Sequence, residues 1–312
     1  MRHLKDIESL SDEAIRGLLD TALAYDQKLE AKEDLGAPLA GRLQFNLFFE
    51  NSTRTSLSFL VAARRMGVEA IHVPIETSSV QKGESLRDTV QTLGAQGADF
   101  VIMRAAAAGT IDAACAAVES GGFETAILNG GEGASGHPTQ ALLDAATLLK
   151  AFGRKASDGL GGLTIAIGGD LSHSRVAASC AELFKRLGAT IHLSAPAALQ
   201  PDWGAGVASL VTDNRDEAYA GADVVMALRV QSERFEDDEA LDRQAFRAAY
   251  GLSYDALAAA KPGAFVMHPG PMNRGVEIEE DVAEDPARSL ITKQVAMGVP
   301  LRMACLAYAA AL

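Results

Sequence analysis

Cysteine is scarce in this chain, with three residues in 312, at positions 115, 180 and 305. They are far apart and form no C-x-x-C pair. A disulfide framework and a zinc ribbon are therefore not expected, and a reducing, cytoplasmic setting is. Aromatic residues make up only 5%, which argues against an aromatic-lined groove. The six histidines (His3, His72, His137, His173, His192 and His268) form neither H-E-x-x-H nor a Cys/His ligand spacing, so no metal is expected. No G-x-x-x-x-G-K-[ST] occurs, which excludes a Walker loop. "AIGGDLSHSR" (166–175) lacks the full G-x-G-x-x-G of a dinucleotide fold. No cofactor is expected. No apolar run approaches the roughly 20 residues that span a bilayer, and the N-terminal "MRHLKDIESLSDEAIRGLLDTAL" lacks a signal peptide's basic start and apolar core. Positive charge is outnumbered, leaving a net charge of -13. Such a surface repels phosphate backbones, so nucleic acid and membranes are not expected partners. Against that field, any local gathering of arginines is informative.

What the chain does have is alternation. Apolar runs of strand type, "LQFNLFF" (43–49), "EAIHVP" (69–74), "DFVIMR" (99–104) and "TAILNG" (125–130), are followed by "LTIAIGG" (163–169), "TIHLSAP" (190–196), "DVVMALRV" (223–230) and "AFVMHPG" (264–270). Stretches of helical spacing such as "TSLSFLVAARRMG" and "HSRVAASCAELFKRLG" separate them, each closed by a glycine. Continuous apolar strands alternating with helices predict an α/β fold of two domains, each a mainly parallel sheet flanked by helices. A helix running into a Gly-rich turn at 150–162 marks the boundary. In such sheets ligands gather beyond the carboxyl ends of the strands, so those loops carry the function.

The first of these loops is "FFENSTRTSLSF" (48–59). A strand ends near Phe49 and a helix begins near Thr53. Free N–H groups at a helix start favour anions, hydroxyls add neutral donors, and Arg54 adds a charge-assisted fork. A plain N-cap at Asn51 or Ser52 accounts for one hydroxyl and leaves Arg54 and Thr55 unexplained. At other strand ends stand Arg104 in "VIMRAA" and His137 and Gln140 in "GHPTQALLDAA". Arg175 opens the helix after "AIGGDLSHS", and Arg229 and Gln231 follow the strand at 223–230. Two arginines beyond strand ends in one domain suit a small dicarboxylate. Taken singly, Arg104 reads equally as a surface arginine, His137 as a helix-start residue, and Lys82 in "SSVQKGESLRDTV" as part of a solvated charged loop.

Together these motifs resemble the aspartate/ornithine carbamoyltransferase family over essentially the whole chain. S-T-R-T (52–55) is similar to its carbamoyl-phosphate signature, and H-P-T-Q (137–140) and "MHPGPMNR" (267–274) match companion motifs in order. The resemblance implies a carbamoyl-phosphate domain at 1–150, onto which a C-terminal helix of about 292–312 packs back, and an aspartate domain at 151–291. It implies an active site in the cleft between domains and at a subunit interface of a homotrimer. Ser52, Thr53, Arg54, Thr55, Arg104, His137, Gln140, Gly270 and Pro271 would bind carbamoyl phosphate. Thr55, Arg104 and His137 would act catalytically on the oxyanion. Lys82, Arg175, Arg229 and Gln231 would bind the second substrate, with Ser78 and Lys82 donated by a neighbouring subunit. Pro271 would be a cis proline. Two positions depart from the family: Leu60 stands where glutamate is frequent, and Gly270 where a side chain is often found.

The family's two branches differ in that second substrate. D-x-x-x-S-M-G and H-C-L-P, typical of the ornithine branch, are absent, with "LRVQSERF" and "HPGP" in their places. Arg229 would repel ornithine's ammonium and attract a second carboxylate, and Lys82 in "KGE" points the same way. The expected reaction is carbamoyl transfer to L-aspartate, an early step of pyrimidine biosynthesis. It needs no covalent nucleophile; orientation alone supplies on the order of 7–11 kcal/mol. Regulatory or dihydroorotase chains as further partners stay open, as do a non-catalytic anion sensor and an inactive structural homologue. Both of those would be expected to lose parts of a motif set that is complete here.

Overall fold

Strands buried along their whole length need cover on both faces, and the central strands here have it. The computed structural model describes residues 2–75, 78, 82–133, 136–230 and 243–312. It divides into two compact units, Met1–Ala146 with Val295–Leu312, and Thr147–Gln294.

The first unit is built on β1 (Leu43–Phe48), β2 (Glu69–Val73), β3 (Phe100–Ala105) and β4 (Ala126–Glu132). They form a four-stranded sheet in the order β2-β1-β3-β4, every neighbour parallel. Parallel neighbours require crossovers. The helices α1 (Asp12–Glu30), α2 (Thr53–Met66), α3 (Leu86–Ala95), α4 (Thr110–Ser120) and α5 (Pro138–Ala151) supply crossovers and cover. In α2 the buried residues Thr55, Phe59, Ala62, Ala63 and Met66 fall at helical spacing, so one stripe faces the sheet. Gly67, in the left-handed region at φ 80°, stops the helix. In α1 the Ser11 hydroxyl accepts from the Ala14 N–H and Asp12 and Glu13 sit in the first turn, which complements the helix dipole. The core of this unit runs through Leu47, Val90, Val101, Met103, Ile111 and Ile127.

The second unit holds β5 (Thr164–Gly168), β6 (Thr190–Ser194), β7 (Leu210–Thr212), β8 (Val224–Ala227) and β9 (Phe265–Met267). All are parallel, in the order β7-β6-β5-β8-β9. The sequence pattern predicts four of these and omits β7. Its three residues are all half-buried, so the edge strand carries no apolar run to betray it. Helix α6 (Arg175–Arg186) follows β5. The core includes Tyr219, Val225, Leu252, Leu257, Val266 and Ile278.

The glycine pair after β5 has a packing explanation. Gly169 sits at φ +126°, and a Cβ placed there would lie 2.6 Å from the Leu228 carbonyl oxygen. Close approach of the β8 backbone, and not pyrophosphate binding, accounts for "GGD".

Candidate active site

Each sheet has one place where chain order reverses across neighbouring strands, and it is at the carboxyl edge of such a point that an α/β sheet opens a crevice. In the first unit that place lies between β1 and β3, and the register sets Phe48 opposite Arg104. The loop "ENSTRT" leaves β1 here. Ser52 takes the N-cap position of α2 with extended backbone, yet its side chain makes no cap hydrogen bond. The helix does not use this hydroxyl, so the plain capping reading of Ser52 does not hold. Thr53 and Arg54 are exposed, while Thr55 turns inward and is buried. The Thr55 Oγ1 lies 3.3 Å from the His137 Nε2. His137 is only 4% exposed and immediately precedes Pro138 at the first position of α5, where a missing N–H costs nothing.

Arg104 is held from two sides. Its Nη1 donates to the Gly130 carbonyl at 3.3 Å, and its Nε pairs with the Glu50 carboxylate at 3.3 Å. Gly130 is tight for a reason: a Cβ there would meet the Met103 carbonyl oxygen at 3.3 Å and the Thr55 methyl at 3.4 Å. The first unit thus gathers a helix start with uncommitted hydroxyls, the guanidinium groups of Arg54 and Arg104, and a Thr–His pair. This set can bind a phosphate and polarise a carbonyl oxygen beside it. Gln140, one turn into α5, is 8% exposed and donates through Nε2 to Asp144 Oδ1 at 3.0 Å.

Sequence reasoning misses two carboxylates of this arrangement, Glu50 and Asp144. Glu50 is the residue between β1 and the S-T-R-T run, and Asp144 is four residues after Gln140 on α5. The i, i+4 spacing was the available signal for Asp144. For Glu50 there was none, because only the strand order brings it to Arg104.

Ser78 and Lys82 stand between β2 and α3. The Ser78 hydroxyl donates to the Ile75 carbonyl at 2.9 Å, and Lys82 is exposed. Among the described residues, neither bonds to Ser52–Thr55, Arg104 or His137 in this single chain.

In the second unit the reversal lies between β5 and β8. Arg175 is the first residue of α6 and 7% exposed. It follows Ser174, whose hydroxyl caps the helix through the Ala177 N–H. Arg229 is half-buried, two residues beyond β8. Gln231 lies outside the described residues. The loop after β9 joins the same edge, because the Asn273 side chain donates to the Val230 carbonyl at 3.1 Å. This loop is built by His268. Its Nδ1 accepts the Gly270 N–H at 2.9 Å and its Nε2 lies 3.2 Å from Glu277 Oε1, which also accepts the Asn273 N–H. The Gly270–Pro271 peptide is cis, and Gly270 sits at φ 69°, a conformation that suits glycine and disfavours a side chain.

The cysteines take no part. All three are buried and none is in a disulfide, and burial pushes the Cys115 and Cys305 thiols up to about 12. Among the described residues, no group of three His, Cys, Asp or Glu side chains could hold a metal ion, and no helix is long and apolar enough to cross a membrane.

The comparison with known proteins covers both units. Residues 2–150 match the family model of the aspartate/ornithine carbamoyltransferase carbamoyl-P binding domain, and residues 161–309 match that of the Asp/Orn binding domain. The aspartate carbamoyltransferase catalytic subunit of Rhodospirillum rubrum is 44% identical over 308 residues, covering 98% of this chain and 92% of that one. The protein of the same name from Gluconobacter oxydans is 45% identical over 306 residues, covering 98% and 94%. Among solved structures, aspartate transcarbamoylase from Trypanosoma cruzi in complex with N-(phosphonacetyl)-L-aspartic acid superposes with a TM-score of 0.86 at 34% identity, covering 98% of this chain and 94% of that one. Ornithine carbamoyltransferase from Pyrococcus furiosus gives a TM-score of 0.86 at 24% identity, covering 98% and 96%. That likeness speaks to the fold alone.

Proposed function

This chain belongs to the aspartate/ornithine carbamoyltransferase family, and from that premise we propose that it transfers the carbamoyl group of carbamoyl phosphate to the amino group of L-aspartate. The products are N-carbamoyl-L-aspartate and phosphate, and the reaction is an early step of de novo pyrimidine biosynthesis. The observation that carries this reading is the convergence of Ser52–Thr55, Arg104 and His137 at the one strand-order reversal of the first sheet.

In the proposed roles, the N–H groups at the start of α2, the Ser52 and Thr53 hydroxyls and Arg54 hold the phosphate. Thr55, Arg104 and His137 donate to the carbonyl oxygen as the amine attacks and negative charge develops there. Gln140 and the backbone of Gly270 and Pro271 hold the carbamoyl amide. Phosphate leaves, and its oxygens can take up the amine proton. Arg175 and Arg229, at the reversal of the second sheet, suit the two carboxylates of aspartate, with Gln231 as a further ligand.

We also assign the chain to a cytoplasmic homotrimer in which Ser78 and Lys82 serve a neighbouring subunit. Three observations support this. Lys82 is exposed and unengaged with the site of its own chain, and the apolar residues Leu57, Val61 and Ile71 are exposed on α2 and β2. The relatives, moreover, are named catalytic subunits. Ornithine as acceptor is disfavoured, since a guanidinium at position 229 opposes a cationic side chain.

The test is a colorimetric assay of purified protein with carbamoyl phosphate and either L-aspartate or L-ornithine. Carbamoyl-aspartate should form and citrulline should not. Citrulline formation, or no product with either acceptor, would overturn the assignment. Sedimentation of the same sample should give the mass of three chains.

A further inference from the structure

Beneath the carbamoyl-phosphate residues lies a buried charged cluster that the reaction as described does not use. Asp144 is 0% exposed, and Arg302 on the C-terminal helix (Ile291–Ala310) is 2% exposed. Burying either charge alone would be costly. The Asp144 carboxylate is among the charges that act on the Arg302 guanidinium, more weakly than burial does. The guanidinium also stands 5.2 Å over the ring of Phe59 and donates through Nη1 to the Gly298 carbonyl at 3.1 Å. Gly298 leaves room for it, because a Cβ there would lie 3.0 Å from that nitrogen. Burial pushes the Arg302 guanidinium down to about 10, which still leaves it charged at neutral pH. Phe59 is on α2, Asp144 on α5 and Arg302 on the C-terminal helix. Arg302 therefore ties the C-terminal helix to the phosphate-binding helix.

The consequence for Gln140 is chemical. A glutamine amide can rotate by half a turn and exchange its donor and acceptor ends at little cost. Here one end is anchored, because Gln140 Nε2 donates to Asp144 Oδ1 at 3.0 Å. A carboxylate only accepts, so the NH2 end must face Asp144 and the planar amide turns Oε1 the other way. We infer that Asp144, buried beneath Gln140, is a positioning residue that presents the Gln140 oxygen to the substrate as an obligatory acceptor. It thereby selects acyl phosphates bearing an N–H on the carbonyl carbon. A site that expects a substrate N–H discriminates strongly against an analogue with a methyl there, because its own polar group is then left unpaired. Acetyl phosphate is that analogue. The inference rests on the reaction proposed above.

The experiment compares parent and Asp144→Asn with three probes: carbamoyl phosphate as substrate, and acetyl phosphate and inorganic phosphate as competitive inhibitors. Asparagine keeps the shape but puts an NH2 donor opposite Gln140, which claims Oε1 and turns the donor end of the amide to the substrate. The expected result is a KM for carbamoyl phosphate raised about tenfold, the loss of roughly one oriented hydrogen bond. The inhibition constants of acetyl phosphate and phosphate should stay within about twofold. A change common to all three probes would show a merely structural role and overturn the inference, as would no change at all. Asp144→Asn removes a buried negative charge that acts on Arg302, so the double variant Asp144→Asn with Arg302→Met, which buries no charge, gives the same reading if the single variant does not fold. An inactive parent chain would sink the reaction and this inference together; an active parent with unaltered discrimination in the variant would sink the inference alone.

Discussion

Replacing Arg104 with alanine separates what this side chain does for the fold from what it does for the proposed chemistry. In the free protein the partners of the guanidinium include the Gly130 carbonyl at 3.3 Å and the Glu50 carboxylate at 3.3 Å. The Glu50 side chain is 24% exposed, so water can solvate it once its partner is gone. A partly exposed ion pair is worth about 0–1 kcal/mol, and the lost hydrogen bond about another 1 kcal/mol. The cost to stability is thus about 1–2 kcal/mol, a melting shift of roughly 2–8 °C for a unit of this size. The cost to turnover is of another order. Removing one donor to a developing oxyanion lowers kcat about 10²–10³-fold. Calorimetry and the carbamoyl-aspartate assay should therefore diverge, with a modest loss of stability beside a collapse of kcat. Arg104→Lys, which keeps the charge and loses the planar fork, should recover only part of the rate. Turnover within about threefold of the parent in Arg104→Ala, against the expected loss, would refute the oxyanion assignment. A melting shift several times the expected one would mean that Arg104 is chiefly scaffold.

Arg54 is exposed, so Arg54→Ala should melt with the parent while losing most turnover. Near-normal turnover in the purified variant would remove Arg54 from the phosphate site. Gly169→Ala should destabilise the second unit by about 2–4 kcal/mol, because it combines a positive φ with a clash against the Leu228 carbonyl; an unchanged melting curve would contradict the packing account of the glycine pair. The half-buried His3 accepts the Ile127 N–H through Nδ1 at 3.0 Å, and burial lowers its pKa. The unfolded state therefore binds the proton more readily. Its contribution to stability is full above the ordinary histidine value of about 6.5 and is lost as pH falls through the lowered folded value. Melts of the parent and His3→Gln should converge in that acidic window, and a difference independent of pH would exclude the effect.

Much of this was legible in the chain because it is written in local pattern. Apolar runs between helical stretches mark eight of the nine described strands, and the hydroxyl–arginine run after β1 marks an anion site. What escaped has one cause. The edge strand β7 is short and half-buried, so it never needed an apolar run. Ser52 looks like an ordinary helix cap, and only its backbone and bonding show that the helix leaves the hydroxyl uncommitted. Glu50 reads as a solvated acid until its partner Arg104, far away in the chain, is seen, and Asp144 until the helix sets it beside Gln140.

The sequence by itself therefore determined the alternating α/β layout, the residues with anion-binding chemistry and the family they belong to, since each depends on residues close together along the chain. The tertiary structure alone decided which of them act together. Strand order placed Arg104 opposite Phe48, helix packing set His137 beside Thr55, and the C-terminal helix carried Arg302 over the Phe59 ring, more than 200 residues earlier. Charges and hydrogen bonds act through space over a few ångströms, and in a parallel sheet neighbours in space are separated in sequence by at least a crossover.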